Sequence, residues 1–294
     1  MIYTVTFNPA IDYVMHTGEV KIGETNRSDC EEMYFGGKGI NVSYVLSQLS
    51  KDNVALGFIA GFTGEALEKG VGEWGVRTDF VHLSEGDTRI NIKLKSEKET
   101  EINAQGPSIK AEELVKLLEK LDALKSGDTL LLAGSVPKTL PADVYETILA
   151  RLVGRGVKFV VDATGKLLTN TLKYKPFLIK PNKSELEGIF EKQLSGDDII
   201  VAAQKLREMG AQNVLVSLGP DGAILVDSDG NVHKQDALGG KPVNTVGAGD
   251  SMIAGFLAGI EKGPAYALRL GVAAGGATAC KDSLATKEDI LNLI

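Results

Sequence analysis

Beyond about Lys110, short apolar runs alternate with segments of helical period, and that alternation limits the chain to few architectures. The runs are Thr129–Ala133, Lys158–Asp162, Phe177–Lys180, Asn213–Ser217 and Ala223–Val226, each followed by polar turn residues. Between them Leu114, Leu117, Leu118, Leu121 and Leu124 recur at helix spacing; Val201, Leu206 and Met209 do so less regularly. A continuously apolar strand is buried on both faces, so the pattern predicts a mostly parallel sheet with helices on each side. The N-terminal half adds another such unit. Ile40–Ser50 carries Val42, Val45, Leu46 and Leu49 on one face, and Val54–Ile59 follows as a strand. The expected fold is α/β, a three-layer sandwich about that sheet.

Two segments depart from this pattern. In Arg89–Lys95 the period is two, with Ile90, Ile92 and Leu94 on one face and Arg89, Asn91, Lys93 and Lys95 on the other. Thr100–Asn103 returns after a polar turn as the second strand of a hairpin, and Ile11–Tyr34 also lacks helical period. Both are expected to form a small sheet standing off the main body. Its basic face is either simply solvated or a clamp for a phosphate. Its apolar face requires cover, from a second copy of the chain or from the chain's own body. No repeat or low-complexity linker is visible, so residues 1–294 read as one domain with insertions at about 11–34 and 87–104.

Composition narrows the chemistry. The 294 residues are 43% hydrophobic and 24% charged, with a net charge of −7 and both signs interspersed, which argues against nucleic acid as a partner. Cys30 and Cys280 form no CxxC pair and are expected as free thiols in a reducing compartment. His16, His82 and His233 lack metal-ligand spacing. The N-terminus enters a strand-like run without a targeting pattern, and the apolar stretches Ile253–Ile260 and Gly271–Ala279 are short and glycine-rich, so the expectation is a cytoplasmic protein with no membrane partner.

Asn244-Thr245-Val246-Gly247-Ala248-Gly249-Asp250-Ser251 precedes an apolar run, Met252–Ile260, that reads as a buried helix. Residues with almost no side chain let backbone N–H groups approach an anion, and a helix start favours one electrostatically. Asp250 there is either a helix cap or a base that takes a proton from an attacking hydroxyl. Gly36-Gly37-Lys38-Gly39-Ile40-Asn41-Val42 opens another helix, where Lys38 and Asn41 can reach a polyhydroxylated or phosphorylated ligand, or where the glycines only make a turn. It is not a Walker A loop. Lys180-Pro181-Asn182-Lys183-Ser184-Glu185 lies at the carboxyl end of a strand; Asn182 and Glu185 there either start a helix or hold the water shell of Mg²⁺. Ser217–Ala223 joins two strands through a tight turn, in which Gly219 could admit a nucleotide or serve only the turn. Gly70–Gly75 matches the dinucleotide-binding spacing, but it follows a helix-like segment instead of a strand and is rejected.

Taken together, in order and spacing, Gly36–Val42, Asn182–Glu185 and Thr245–Asp250 resemble the ribokinase-like (PfkB) family of sugar and sugar-phosphate kinases over essentially the whole chain. The resemblance implies a ribokinase-like sandwich with a β-sheet lid, ATP as phosphoryl donor and Mg²⁺ as cofactor. It implies Asp250 as the base, with Gly247, Ala248 and Gly249 forming the anion hole. Asn182, Ser217, Gly219 and Gly222, with Gly247 and Gly249, would border ATP, and Asn182 and Glu185 would organise Mg²⁺ through water. Asp12, Gly37, Lys38 and Asn41 would bind the sugar, and Arg27, Arg89 and Lys93 its phosphate. Many members carry Asp where this chain has Asn244; the hexosephosphate branch often carries Asn. Thr88–Lys93, with Asn91, and Glu101–Asn103 resemble members that phosphorylate fructose 1-phosphate at C6, more than those acting on tagatose 6-phosphate. Fructose 6-phosphate is a further alternative, and a sugar-phosphate-binding protein without catalysis is the alternative of another class. An uncharged sugar is disfavoured, since desolvated cations on the lid would lack partners. Dimerisation through the lid is compatible with the pattern.

Overall fold

The computed structural model describes residues 1–294. The N-terminal part runs β1 (Ile2–Thr6), β2 (Ala10–His16), β3 (Cys30–Gly36), α1 (Lys38–Gln48), β4 (Asn53–Ala60) and α2 (Gly61–Glu73). Four strands follow: β5 (Arg77–Thr78), β6 (Val81–Leu83), β7 (Arg89–Lys95) and β8 (Thr100–Ile102). Then come α3 (Ala111–Asp122), β9 (Thr129–Ala133), α4 (Val144–Leu152), β10 (Lys158–Asp162), α5 (Gly165–Thr169) and β11 (Leu178–Ile179). The chain continues through α6 (Lys183–Phe190), α7 (Asp197–Glu208), β12 (Asn213–Ser217), β13 (Ala223–Val226) and β14 (Val232–Gln235). It closes with α8 (Ala248–Gly259), α9 (Pro264–Ala279) and α10 (Lys287–Leu291).

The main sheet has the order β14-β13-β12-β11-β10-β9-β1-β4-β5, with β6 also on β4. It is parallel from β12 to β5, and only β13 and β14 run antiparallel. Its apolar strands alternate between two cores. Val54, Leu56, Leu130, Leu132, Val161 and Val214 face the side covered by α3, α4 and α7; Ala55, Leu131, Val160, Leu178 and Leu215 face the side of α1, α2, α8 and α9. The result is the expected three-layer sandwich. Several details differ from expectation. Phe177–Lys180 shrinks to the two residues of β11. Helix α7 buries Ile199, Ala202, Ala203 and Leu206, while Val201 and Met209 are about half exposed, because the periodic stripe is set by its small alanines. Gly70 and Gly72 lie inside α2, where a Cβ on Gly70 would meet the Phe35 ring at 1.9 Å; close packing explains that glycine, and no nucleotide turn is present.

The second sheet has the order β3-β2-β7-β8 and rises from the ends of β1 and β6. Strand β2 pairs antiparallel with β3 and parallel with β7, and β7 and β8 form the expected hairpin. One face carries Asp12, His16, Arg89, Asn91, Lys93 and Lys95. On the other, Ile11 and Phe35 pack at the base against Leu67 and Val71 of α2, while Met33 and Ile102 farther out are 53% and 59% exposed. No helix is long and apolar enough to cross a membrane.

Candidate active site

The carboxyl ends of β10, β11 and β12 and the charged face of the second sheet enclose a cleft of about 850 Å³. Asp12, Gly37, Lys38, Asn41, Arg89, Asn91, Lys93, Asn182, Glu185, Ser217, Gly247, Gly249 and Asp250 all line it. This is where open α/β sheets bind ligands, because strand ends and helix starts converge there.

Gly247 caps α8 at φ 79, and a Cβ there would lie 2.6 Å from Leu284 Cδ2, so the turn demands glycine. The Ala248 amide donates to the Thr245 carbonyl at 3.2 Å. The amides of Gly247, Gly249 and Asp250 have no such partner and are free for an anion. Of the three amides expected to form an anion hole, that of Ala248 is thus engaged in closing the turn, and the N–H of Asp250 is a free donor beside the other two. Asn244 fixes the loop, its Oδ1 accepting from Val246 N at 3.0 Å and its amide donating to the Asp282 carbonyl at 3.2 Å.

Asp250 is the third residue of α8 and 6% exposed. It makes no cap; its Oδ2 accepts a 2.8 Å hydrogen bond from Asn41 Nδ2 on α1. Burial, then the negative charge of Asp162, push its carboxyl up to about 7, against the opposing pull of Asn41, Lys38 and Lys180. Asp162 itself ends β10, is 2% exposed, and lies between Lys38 Nζ at 2.9 Å and Lys180 Nζ at 3.4 Å. Burial would raise its carboxyl, but the two lysines prevail and hold it below the usual range. Burial pulls Lys38 down, and Asp162, Asp250 and Glu185 more than restore it, so it stays charged. Neither Asp162 nor Lys180 was expected from the sequence. The available signal was a charged residue at the end of an otherwise apolar strand, where the next side chain enters the cleft.

Asn182 and Glu185 form a reciprocal cap at the start of α6: Asn182 Oδ1 accepts from Glu185 N at 2.8 Å, and Glu185 Oε2 accepts from Asn182 N at 2.9 Å. The amide oxygen of Asn182 is therefore engaged, and Glu185 Oε1 is the oxygen left over for a cation's water. Nowhere do three His, Cys, Asp or Glu side chains gather as a metal cage. Such a donor set fits Mg²⁺ that keeps its waters and rides on phosphates. Ser217, bridged to Asn182 across the sheet, faces the cleft. Gly219 and Gly222 do not line it. A Cβ on Gly222 would sit 2.0 Å from the Gln235 carbonyl, so hairpin packing accounts for that glycine.

On the second sheet, Asp12 is held by Asn91 at 2.8 Å and by Lys93 at 3.0 Å. The expectation that the desolvated cations of the lid lack partners of their own is therefore corrected: Lys93 is paired with Asp12 and Lys95 with Glu99. Arg89 alone has no carboxylate partner; its Nε and the Oδ1 of Asn91 are buried without hydrogen bonds. Burial lowers the Arg89 guanidinium, partly offset by Asp12. Arg27 lies on the exposed loop between β2 and β3, and Asn103 is exposed beyond β8; neither lines the cleft.

The profile of the pfkB family of carbohydrate kinases matches residues 5–290. The chain is 44% identical to a 1-phosphofructokinase of Bacillus subtilis, over 100% of this chain and 97% of that one. It is 38% identical to a D-tagatose-1-phosphate kinase of Bacillus licheniformis, over 97% and 94%. Among solved structures, phosphofructokinase-2 from Escherichia coli in complex with fructose-6-phosphate superposes with a TM-score of 0.90 at 28% identity, covering 99% and 97%.

Proposed function

Since the chain belongs to the pfkB family of carbohydrate kinases and is a sugar-phosphate kinase, we propose that it uses ATP to phosphorylate fructose 1-phosphate at the C6 hydroxyl, giving fructose 1,6-bisphosphate. The observation that carries the chemistry is Asp250, a buried carboxylate raised to about 7 and flanked by three unpaired amides. A base in that range can take the hydroxyl proton at neutral pH. The freed oxygen attacks the γ-phosphorus of ATP in line, the bond to the β-bridging oxygen breaks, and ADP leaves. Amides of Gly247, Gly249 and Asp250 would receive charge on the transferring group, and Lys38 and Lys180 add positive charge beside them. Asn182 and Ser217 would border ATP. Mg²⁺ bound to the ATP phosphates would neutralise their charge, with Glu185 holding its water. Asp12, Gly37, Asn41 and Asn91 would receive the sugar, and Arg89 its phosphate.

The 38% identity to a D-tagatose-1-phosphate kinase favours that sugar phosphate as a second substrate. The test is ADP release from MgATP with fructose 1-phosphate, beside tagatose 1-phosphate, tagatose 6-phosphate and fructose 6-phosphate. The highest kcat/KM is expected for fructose 1-phosphate. A preference for another sugar phosphate would keep the mechanism and overturn the substrate; no turnover with any would favour a protein that only binds. The open outer face of the second sheet supports a homodimer formed through it.

A further inference from the structure

Lys93 and Arg89 stand on the same face of β7 and both reach the cleft, yet their surroundings differ. Lys93 Nζ is 3.0 Å from Asp12 Oδ2, with 14% and 18% of the two side chains exposed. The other oxygen, Asp12 Oδ1, accepts from Asn91 Nδ2 at 2.8 Å. Both contacts follow from strand pairing, since β7 runs parallel to β2 with Asn91 opposite Asp12 and Lys93 opposite Val14. Arg89 makes one long hydrogen bond, from Nη1 to the Ala104 carbonyl at 3.4 Å, and its Nε has none.

We propose that Lys93 is a positioning residue, which fixes and neutralises Asp12, and that the substrate's phosphate is taken by Arg89 without it. This rests on the sugar-phosphate reading above. A phosphate monoester brings nearly two negative charges into the cleft, and an unpaired Asp12 would repel it. Paired with Lys93, the carboxylate is neutralised, while its remaining lone pairs can still accept from sugar hydroxyls. Arg89 has donors to spare, in the fork geometry that suits phosphate.

The two roles give opposite results in a double-mutant cycle. Trp74, the single tryptophan, lines the cleft, so its fluorescence can report fructose 1-phosphate binding in a titration alongside KM. Lys93→Met is expected to weaken binding about tenfold or more, because it strands a charge facing an anion. Adding Asp12→Asn is expected to recover part of that loss, so that the double variant binds tighter than Lys93→Met alone. A phosphate ligand would behave otherwise: the losses would multiply and the double variant would be the weakest, which overturns the inference. Lys93→Gln serves the same cycle if the methionine variant does not fold. A wild-type protein that neither binds nor turns over fructose 1-phosphate would overturn the functional reading, and this one with it; a multiplicative cycle in an active protein overturns this one alone.

Discussion

At about 7, the raised carboxyl of Asp250 is ionised in only part of the molecules at neutral pH, and a base acts only when ionised. The kcat/KM for the sugar phosphate is therefore expected to fall below pH 7, approaching tenfold per unit, and to level off above pH 8. Asp250→Asn keeps the hydrogen-bonding shape beside Asn41 but cannot accept the proton. It is expected to lower kcat by at least about 10²-fold and to abolish that acidic limb. Near-normal turnover in steady-state assays, or an unchanged limb, would remove Asp250 from the base role. Its position was legible because three small residues before an acid mark a helix start by local spacing alone. The pairing of Asp162 with Lys38 was not legible, since the two lie 124 positions apart and no local pattern links them. Asn182 and Glu185 were legible as a pair, but the same three-residue spacing serves both a cap and a cation, and the structure makes the cap.

The helix that presents Asp250 owes its position to its neighbour. Helix α8 lies so close to α9 that a Cβ on Gly255 would be 2.5 Å from the Leu270 carbonyl oxygen, and one on Gly271 2.8 Å from that of Met252. Gly271→Ala gains about 1 kcal/mol of helix propensity but forces two backbones apart, at about 1–3 kcal/mol for an overpacked core. The net expectation is a lower melting temperature. Displacement of α8 should also reduce kcat more than it raises KM for the sugar, since the free amides move with the helix. A higher melting temperature with unchanged kcat, measured by calorimetry and steady-state kinetics, would mean that the helices yield without cost. This seam was hidden in the sequence, where Gly271–Ala279 showed only as a weakly polar, glycine-rich stretch. Helical period reveals which face is buried, not how closely two helices approach. The hairpin of β7 and β8 was visible because alternation with period two is itself a local signal.

On the scale of the whole molecule, the parallel sandwich followed from apolar runs buried on both faces, but strand order depends on contacts between distant segments. The second sheet raises the remaining question of what covers its outer face. Ile11 and Phe35 at its base are covered by α2, so the body accounts for part of the apolar surface. Farther out, Tyr13, Met33, Ile92 and Ile102 align across four strands, and Met33 and Ile102 remain more than half exposed. An exposed apolar patch on a sheet is costly in water and is commonly buried by association. A second copy meeting this face would cover both patches at once, since a two-fold contact is self-complementary. Sedimentation equilibrium is expected to give twice the mass of the 31.2 kDa chain at micromolar concentration. Replacing Met33 and Ile102 together by Asp puts charges into that contact and should yield monomers. If the sheet is steadied by its partner, those monomers should bind the sugar phosphate more weakly while KM for ATP changes little, because the residues proposed to border ATP, Asn182 and Ser217, belong to the main body. A wild-type monomer, or a dimer that survives both aspartates, would place the contact elsewhere or remove it.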